Sequence, residues 1–191
     1  MKKIYLSIFI FCAIAFNSNA ETVRITSGKE NARITIIAYE SLTCSHCSDF
    51  HRNVYPKLKK DFIDTGLAKI EFRHFPLDVA AFNAAKIAQC KSDQSLEILE
   101  SLYLNQQEWI KGSTIEDVNN NLKKYLKNKG FKINFEECIN DKLIEDFVLN
   151  DRIEGTKNFD VNATPTIIIN DKKFEKSLNY KNLKKSLEKL I

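Results

Sequence analysis

Cys44-Ser45-His46-Cys47 follows an apolar run, Ile34 to Leu42, and opens an amphipathic segment. A C-x-x-C pair between a strand and a helix is the layout of a thiol–disulfide redox centre, although the spacing alone also fits metal binding. Cys44 would lie near the helix N-terminus, where unpaired N–H groups and the helix dipole favour a thiolate. The two cysteines stand three residues apart and share one helix face, so their sulfurs can bond to each other.

The first 20 residues have the pattern of a secretory signal peptide. Lys2 and Lys3 form a charged n-region, and Ile4 to Phe16 form an apolar segment that is short for a membrane span. Small residues then lead to Ala20, after which we predict cleavage. The pattern therefore predicts export of the mature chain to the periplasm.

Two alternatives to cleavage remain for this leader. An uncleaved anchor needs a longer apolar run, and lipidation at Cys12 favours a small residue where Phe11 stands. With cleavage, Cys12 leaves with the leader. The even number of cysteines that remains fits an oxidising compartment; these cysteines are Cys44, Cys47, Cys90 and Cys138.

The size and charge of the mature chain, residues 21–191, indicate one ordinary globular domain with an inserted lobe. The hydrophobic content of 43% is sufficient for a core. Loss of Lys2 and Lys3 lowers the formal net charge from +4 to +2, which does not point to nucleic acid. Lysine pairs such as Lys123-Lys124 fall on the polar sides of predicted helices, so we interpret them as solvated faces.

The first part of the mature chain predicts a strand–helix–strand unit. Ile34 to Tyr39 is apolar on both faces, as in a central strand, and a helix kinked at Pro56 follows through about Asp64. Ala68 to Phe75 alternates between apolar and charged residues and predicts a second strand. Because a crossover connects them, the two strands should be parallel.

Residues 79–159 change to helical periodicity. The pattern predicts helices over 80–90 and near 96–103, and Ser113-Thr114-Ile115-Glu116 has the form of a capping box before a helix that stops at Gly130. Two further helices start near Phe135 and Leu143. Residues 160–191 then return to strand chemistry, with strand 166–169, a turn at Asn170-Asp171, an antiparallel strand 172–174 and a final helix from Tyr180.

Three segments in this order resemble the DsbA family of bacterial thiol–disulfide oxidoreductases. They are Tyr39-Glu40-Ser41-Leu42-Thr43-Cys44-Ser45-His46-Cys47, Phe75-Pro76-Leu77 and Ala163-Thr164-Pro165-Thr166. The resemblance spans nearly the whole mature chain. It implies an α/β thioredoxin-like fold with an inserted all-helical lobe. Residues 21–78 and 160–191 would form the thioredoxin-like domain, and residues 79–159 would form the lobe.

The chain departs from the family pattern at two places. The commonest family dipeptide between the cysteines is Pro-His, whereas here it is Ser45-His46, which leaves the redox potential open. Family members often carry an acid near where Ala38 stands. Glu40 lies two residues on, on the same strand face, and our hypothesis is that it takes over the proton-handling role of that acid.

The resemblance and the thiolate argument together assign roles in the motif. Cys44 is the expected nucleophile with a depressed pKa, and Cys47 is the more buried resolving thiol. His46, if protonated, would favour the thiolate further; the alternative is that it is merely exposed and neutral. A stabilised thiolate favours the reduced form, so the disulfide form would be a strong oxidant, a property for which DsbA itself is the standard example.

The resemblance also implies that Pro165 follows a cis peptide bond, although an ordinary trans proline is the commoner case for an X–Pro bond. Lacking an N–H, Pro165 leaves the approach to the sulfur free, and the Thr164 backbone can pair with an extended substrate. The Thr164 hydroxyl could tune substrate release or the potential, with a sign that the sequence does not give.

Cys90 and Cys138 resemble a second cysteine pair that some family members carry, and a structural disulfide in the lobe is expected; two separate buried thiols are the alternative. Three other residues receive structural interpretations. His51 shares the helix face of Cys47 and so could line the site, but it is expected to face solvent. His74 is expected to lie in the core or at its edge, and Trp109 to pack within the lobe.

Three classes of function remain. The first is an oxidase that donates the Cys44–Cys47 disulfide to unfolded or partly folded exported proteins with free thiols, reoxidised by a quinone-linked membrane partner that the family implies. The second is an isomerase or reductase; residues 21–30 leave little room for a dimerisation segment, so a monomer is expected. The third is a non-catalytic binding or chaperone module, or a zinc site at Cys44, His46 and Cys47. We expect no cofactor and no metal.

Overall fold

A five-stranded sheet, ordered β1-β3-β2-β4-β5, forms the centre of the fold. The computed structural model describes residues 22–91 and 93–191, so the predicted signal peptide and its cleavage site lie outside the described residues. The strands are β1 Ile25–Ser27, β2 Ile34–Glu40, β3 Ala68–His74, β4 Thr166–Ile169 and β5 Lys172–Lys173. β2 and β3 are parallel, as predicted, and the other pairs are antiparallel.

β2 is apolar on both faces because it is the central strand. It pairs with β3 on one side and with β4 on the other, and six of its seven residues are buried. Its carboxyl end, Glu40, lies four residues before Cys44, so the central strand positions the cysteine motif. β1 was not predicted, since its three residues are too few to show an alternating pattern.

Eight helices surround this sheet within the described residues. The first, α1, runs through residues 45–63, and the others are α2 Val79–Gln89, α3 Ser95–Leu104, α4 Gln106–Trp109, α5 Ile115–Asn128, α6 Phe135–Asn140, α7 Lys142–Phe159 and α8 Tyr180–Leu187. The thioredoxin-like fold with a helical insertion, predicted from the sequence, is confirmed.

Helix α1 alternates between two hydrogen-bonding patterns. Segments Ser45–Asp49 and Tyr55–Leu58 are α-helical, whereas Phe50–Val54 and Lys59–Ile63 are π-helical. Pro56 is the second residue after the first π segment, which ends at Val54. Because proline has no N–H to donate to the preceding turn, the wider π turn accommodates it within a continuous helix.

The capping box of α5 lies one residue later than predicted. Thr114 Oγ1 accepts a hydrogen bond from the Asp117 N–H, and Asp117 Oδ2 accepts one from the Thr114 N–H, both at 3.1 Å. The predicted pair, Ser113 with Glu116, has the same residue pattern, and only the helix start at Ile115 separates the two registers.

Helix α7 connects the helical region to the sheet. Gly155, buried in its second half, faces the ring of Tyr39 in β2, and an added Cβ would come within 2.7 Å of Tyr39 Cε1. The Asp151 carboxylate accepts a hydrogen bond of 3.0 Å from the backbone N–H of His74 at the end of β3. The last helix of the predicted lobe thus also covers one face of the thioredoxin-like sheet.

Candidate functional site

The C-x-x-C motif stands at the start of α1, directly beyond the end of β2. Cys44 is the N-cap residue, with extended backbone geometry, and its carbonyl accepts the first helical hydrogen bond from Ser48 at 3.2 Å. Both sulfurs are thiols in this structure. Cys44 is partly exposed, whereas Cys47 is completely buried. The two cysteines therefore differ in access although they belong to one turn.

The surroundings of Cys44 favour its thiolate. The Cys47 thiol and the backbone N–H groups of Cys47 and His46 stabilise the negative sulfur. Partial burial opposes them, and the pKa of Cys44 is lowered to about 5. At neutral pH the Cys44 sulfur is therefore a thiolate, the reactive form in thiol–disulfide exchange.

Cys47 has the opposite environment. Burial, the hydrogen bond to the Cys44 sulfur and the charge of Glu40 all raise the pKa of Cys47 far above that of an ordinary thiol. Its proton is retained while Cys44 is negative. The motif thus combines one anionic sulfur at the surface with one protonated sulfur beneath it.

The loop before β4 places Thr164 and Pro165 against Cys44. The Thr164–Pro165 peptide bond is cis, and Cys44 Sγ lies 3.4 Å from the Thr164 carbonyl oxygen. The Thr164 hydroxyl is buried and has no hydrogen-bond partner among the residues that the structure describes. Because β4 pairs with β2, the sheet itself brings this distant loop to the cysteines.

A cavity of about 570 Å³, here called the Pro165 groove, opens beside Cys44. Helix α1, the cis-proline loop and the segment before α8 form its walls; the lining residues are His46, Asp49, Phe50, Asn53, Val54, Thr164, Pro165, Leu178 and Asn179. Ser45 and His46 are both exposed. The role of His46 in favouring the thiolate stays a prediction.

Glu40 lies beneath the motif and is 3% exposed. Burial raises the pKa of the Glu40 carboxyl, while His51 opposes that rise. His51 Nε2 lies 2.9 Å from Glu40 Oε2. The expectation that His51 faces solvent is therefore wrong: the ring shares the face of Cys47, as predicted, but that face is the core, and only 3% of His51 is exposed.

Two side chains of the helical lobe support the site and were not predicted. Gln106 Nε2 donates to the carbonyl oxygens of Leu42 and Cys44, at 2.8 and 3.0 Å. The ring of Tyr103 stacks on that of His51, with centroids 4.2 Å apart. Both lie more than 50 residues from their partners. No local sequence pattern could have identified them, because the contacts depend on how the lobe packs on α1.

The remaining predicted residues lie in the core or in the lobe. His74 is buried with its Nε2 3.1 Å from Gln89 Oε1, and Trp109 is buried and donates to the Leu102 carbonyl oxygen at 3.0 Å; both core interpretations are confirmed. Cys90, after α2, and Cys138, in α6, form a disulfide. This pair ties two lobe helices together and is separate from the C-x-x-C motif.

Residues 22–91 and 93–191 contain neither a helix suited to cross a membrane nor a cluster suited to hold a metal ion. None of the helices there combines the length and the apolar character needed to cross a membrane. In the same residues, no cluster of three or more histidine, cysteine, aspartate or glutamate side chains has the arrangement of a metal site.

Comparison with known proteins places this geometry in a family. A family model described as Thioredoxin matches residues 20–189. Disulfide bond formation protein D of Bacillus subtilis is 27% identical over 172 residues, covering 85% of this chain and 74% of that protein. A putative protein-disulfide oxidoreductase of Rickettsia felis is 28% identical over 154 residues, but the chain spans only 53% of its length.

A solved structure agrees with these sequence relatives. Wolbachia pipientis alpha-DsbA1 superposes with a TM-score of 0.77 at 32% identity, over 87% of this chain and 90% of that one. The structure of BdbD from Bacillus subtilis, at 24% identity and a TM-score of 0.69, supports the fold. The chain therefore belongs to the thioredoxin-like proteins and, within them, to the DsbA family of protein thiol–disulfide oxidoreductases.

Proposed function

We propose that this protein is an exported oxidase that donates its Cys44–Cys47 disulfide to newly secreted proteins. The observation that carries the proposal is the contrast between the two sulfurs: the pKa of Cys44 is about 5, and that of buried Cys47 is strongly raised. A sulfur that is stable as a thiolate is a good leaving group, and it favours the reduced form of the pair. Both effects favour transfer of the disulfide from the protein to its substrate.

Each step of the reaction breaks one S–S bond and forms another. A substrate thiolate attacks Cys44 Sγ, the Cys44–Cys47 bond breaks, and a mixed disulfide forms at Cys44 while Cys47 takes up a proton. A second substrate thiolate then attacks the substrate sulfur of this bond. The substrate disulfide forms, Cys44 leaves as its thiolate, and the protein has gained two electrons.

The Pro165 groove supports an unfolded protein as the substrate. Its apolar walls, Phe50, Val54, Leu178 and Pro165, lie beside the exposed sulfur and suit an extended segment rather than a folded surface. The backbone of Thr164 lies next to Cys44, within reach of such a segment, and Pro165, which has no N–H, leaves the approach to the sulfur open.

Export and reoxidation complete the proposal. The signal-peptide pattern of residues 1–20 supports secretion into the periplasm. After each turnover Cys44 and Cys47 must lose two electrons, and a quinone-linked membrane partner would accept them. A monomer with one groove suffices for this cycle, and nucleic acid has no part in it.

A second candidate function is disulfide isomerisation or reduction on the same site. Ser45, in place of the family's proline, and the buried unpartnered hydroxyl of Thr164 both lie where the potential is set. If they lower the potential toward that of thioredoxin, the reduced form would dominate and the protein would rearrange or reduce disulfides.

The test is oxidative refolding of reduced, denatured ribonuclease by the oxidised mature protein. An oxidase forms substrate disulfides stoichiometrically, and Cys44→Ser, which cannot form the Cys44–Cys47 disulfide, abolishes this. With scrambled ribonuclease, the Cys44 thiolate of Cys47→Ser attacks a substrate disulfide and stays bound to it as a mixed disulfide. Recovery of activity only from scrambled ribonuclease, with the reduced protein, would favour the isomerase. Refolding that survives in Cys44→Ser would indicate a binding module and contradict both enzymatic functions.

A further inference from the structure

His51 is a buried ionisable side chain that the exchange steps above do not use. Its ring lies between the Glu40 carboxylate, 2.9 Å from Nε2, and the ring of Tyr103, on which it stacks. The other ring nitrogen, Nδ1, is buried without a hydrogen-bond partner in the described part of the chain. Each of the two nitrogens of an imidazole ring can hold a proton, so the ring could accept a proton at one nitrogen and release one from the other.

The ring of His51 also lines a second cavity. It measures about 180 Å³ and is lined by His51, Tyr55, Pro56, Lys59, Glu100 and Leu104; we call it the Tyr55 cavity. It is large enough for several water molecules, and the unpartnered Tyr55 hydroxyl offers them a further polar contact. It shares no lining residue with the Pro165 groove, so a bound substrate would not close it.

The redox cycle requires proton movement at a place with no access to solvent. Cys47 must gain one proton when it leaves the disulfide and lose one before it attacks Cys44 during reoxidation. Cys47 is completely buried, and Glu40, whose charge acts on it, is nearly so. A carboxyl group that exchanges a proton with Cys47 must itself be connected to water.

We propose that His51 is a positioning residue for Glu40 that carries protons between the Glu40 carboxylate and water in the Tyr55 cavity. Substrate exchange and proton exchange then occur on different sides of α1. The inference rests on the proposed redox function and deepens it. Each mixed disulfide that forms draws one proton in through His51, and each reoxidation sends one proton out.

The groups that face His51 allow this role. Glu40 approaches from β2, Tyr103 and Glu100 from α3, and Tyr55 and Lys59 from α1 itself. Burial raises the pKa values of Tyr55 and Tyr103, so neither phenol releases its proton in the neutral range. The phenols are therefore excluded as proton carriers between Glu40 and the Tyr55 cavity, which leaves the His51 ring.

The test observes the reactions of the two thiols as separate phases of one experiment. A chromogenic aromatic disulfide is mixed with the reduced protein. The Cys44 thiolate attacks it and releases a first coloured thiolate; Cys47 then loses its proton, attacks Cys44 Sγ and releases a second. The first phase reports the nucleophile, and the second reports the deprotonation of Cys47.

His51→Gln is the decisive variant, because the glutamine amide can donate to Glu40 but cannot carry a proton. We expect an unchanged first phase and a second phase slowed by about 100-fold or more. The rate of the second phase should keep rising with pH in the variant and level off in the wild type. In His51→Ala, added imidazole should restore the second phase, but not in Glu40→Gln. His74→Gln is the matched control, since it removes another buried histidine that bonds only an amide.

The outcomes distinguish this inference from the proposed function. If His51→Gln leaves the second phase and its pH profile at wild-type values, His51 is structural and the inference is wrong, even if ribonuclease is oxidised normally. If His51→Gln and His74→Gln slow both phases equally, the effect is one of packing, and the relay is contradicted. If the wild type fails to oxidise ribonuclease while His51→Gln still slows only the second phase, the oxidase is refuted and the relay is supported.

Discussion

At the scale of single residues, the difference between the two cysteines determines the chemistry. Cys44 receives hydrogen bonds from Cys47 and from the first backbone N–H groups of α1, whereas Cys47 is enclosed by the core and by Glu40. The C-x-x-C motif and its helix were sufficient to predict that the pKa of Cys44 is lowered. His51 was mispredicted, because one sequence shows which helix face a residue shares but not what covers that face.

The low pKa of Cys44 predicts a pH-dependent stability of the reduced protein. The folded pKa is about 5, below the value of about 8.5 for an unfolded thiol. The unfolded chain therefore binds more protons between these values, and the stability gained above them is lost as the pH falls through about 5. The melting temperature of the reduced form minus that of the oxidised form should therefore increase from about pH 4 to about pH 8.

Cys44→Ser is the control for this linkage. Without the Cys44 thiolate, the difference in melting temperature between the variant and the oxidised wild type should change little over the same pH range. A reduced wild type whose melting temperature follows that of the oxidised form in parallel at all pH values would show that Cys44 has an ordinary thiol pKa.

At the scale of elements, the strands and helices follow from periodicity, and their contacts do not. The alternation in Ala68–His74 and the apolar faces of Ile34–Glu40 were visible in the sequence, and so was the parallel pairing of these strands. The strand Ile25–Ser27 was missed because it is short. The packing of α7 on the sheet was also missed, since it depends on the absence of a side chain at Gly155, which lets the helix approach the Tyr39 ring.

Gly155→Ala should destabilise the protein although alanine favours helices. The new methyl group would lie within 2.7 Å of the Tyr39 ring, and overpacking of this kind costs about 1–3 kcal/mol, against a propensity gain of about 1 kcal/mol. Urea unfolding measures the net loss. Thr156→Ala, exposed on the same helix, should be neutral or slightly stabilising. Equal stability of Gly155→Ala and wild type would mean that α7 does not contact β2 so closely.

At the scale of the whole molecule, the lobe and the thioredoxin-like domain meet around α1. Gln106 and Tyr103 reach across to the Cys44 loop and to His51, and these contacts could not be predicted because they join residues far apart in sequence. The family resemblance supplied the order of the parts. The two cavities on either side of α1 emerged only from the folded structure.

The Cys90–Cys138 disulfide should stabilise the molecule without tuning its site. With a sequence separation of 48, the chain-entropy relation gives a stabilisation of about 4 kcal/mol as an upper value. The double variant Cys90→Ala/Cys138→Ala should lose up to this amount in urea unfolding and keep the thiolate titration of Cys44. A shifted Cys44 titration would show that the lobe disulfide reaches the C-x-x-C motif.

Leu178→Asp should lower the rate of oxidation of unfolded protein substrates selectively. Leu178 lines the Pro165 groove, and loss of a half-buried apolar contact of about 1 kcal/mol corresponds to an approximately fivefold lower kcat/KM with reduced ribonuclease. Oxidation of dithiothreitol, which is too small to need the groove, should proceed at the wild-type rate. Leu143→Asp, an exposed leucine of the lobe, controls for the added charge. Equal losses with both substrates would place the defect at the thiols instead.

The reduction potential of the Cys44–Cys47 pair against glutathione, measured with the thiolate absorbance of Cys44 over the same pH series, tests the central claim most directly. The account predicts a potential well above that of thioredoxin, which is about −270 mV, and a Cys44 pKa near 5. A thioredoxin-like potential together with a near-neutral or higher Cys44 pKa would contradict the oxidase and favour the reductase or isomerase.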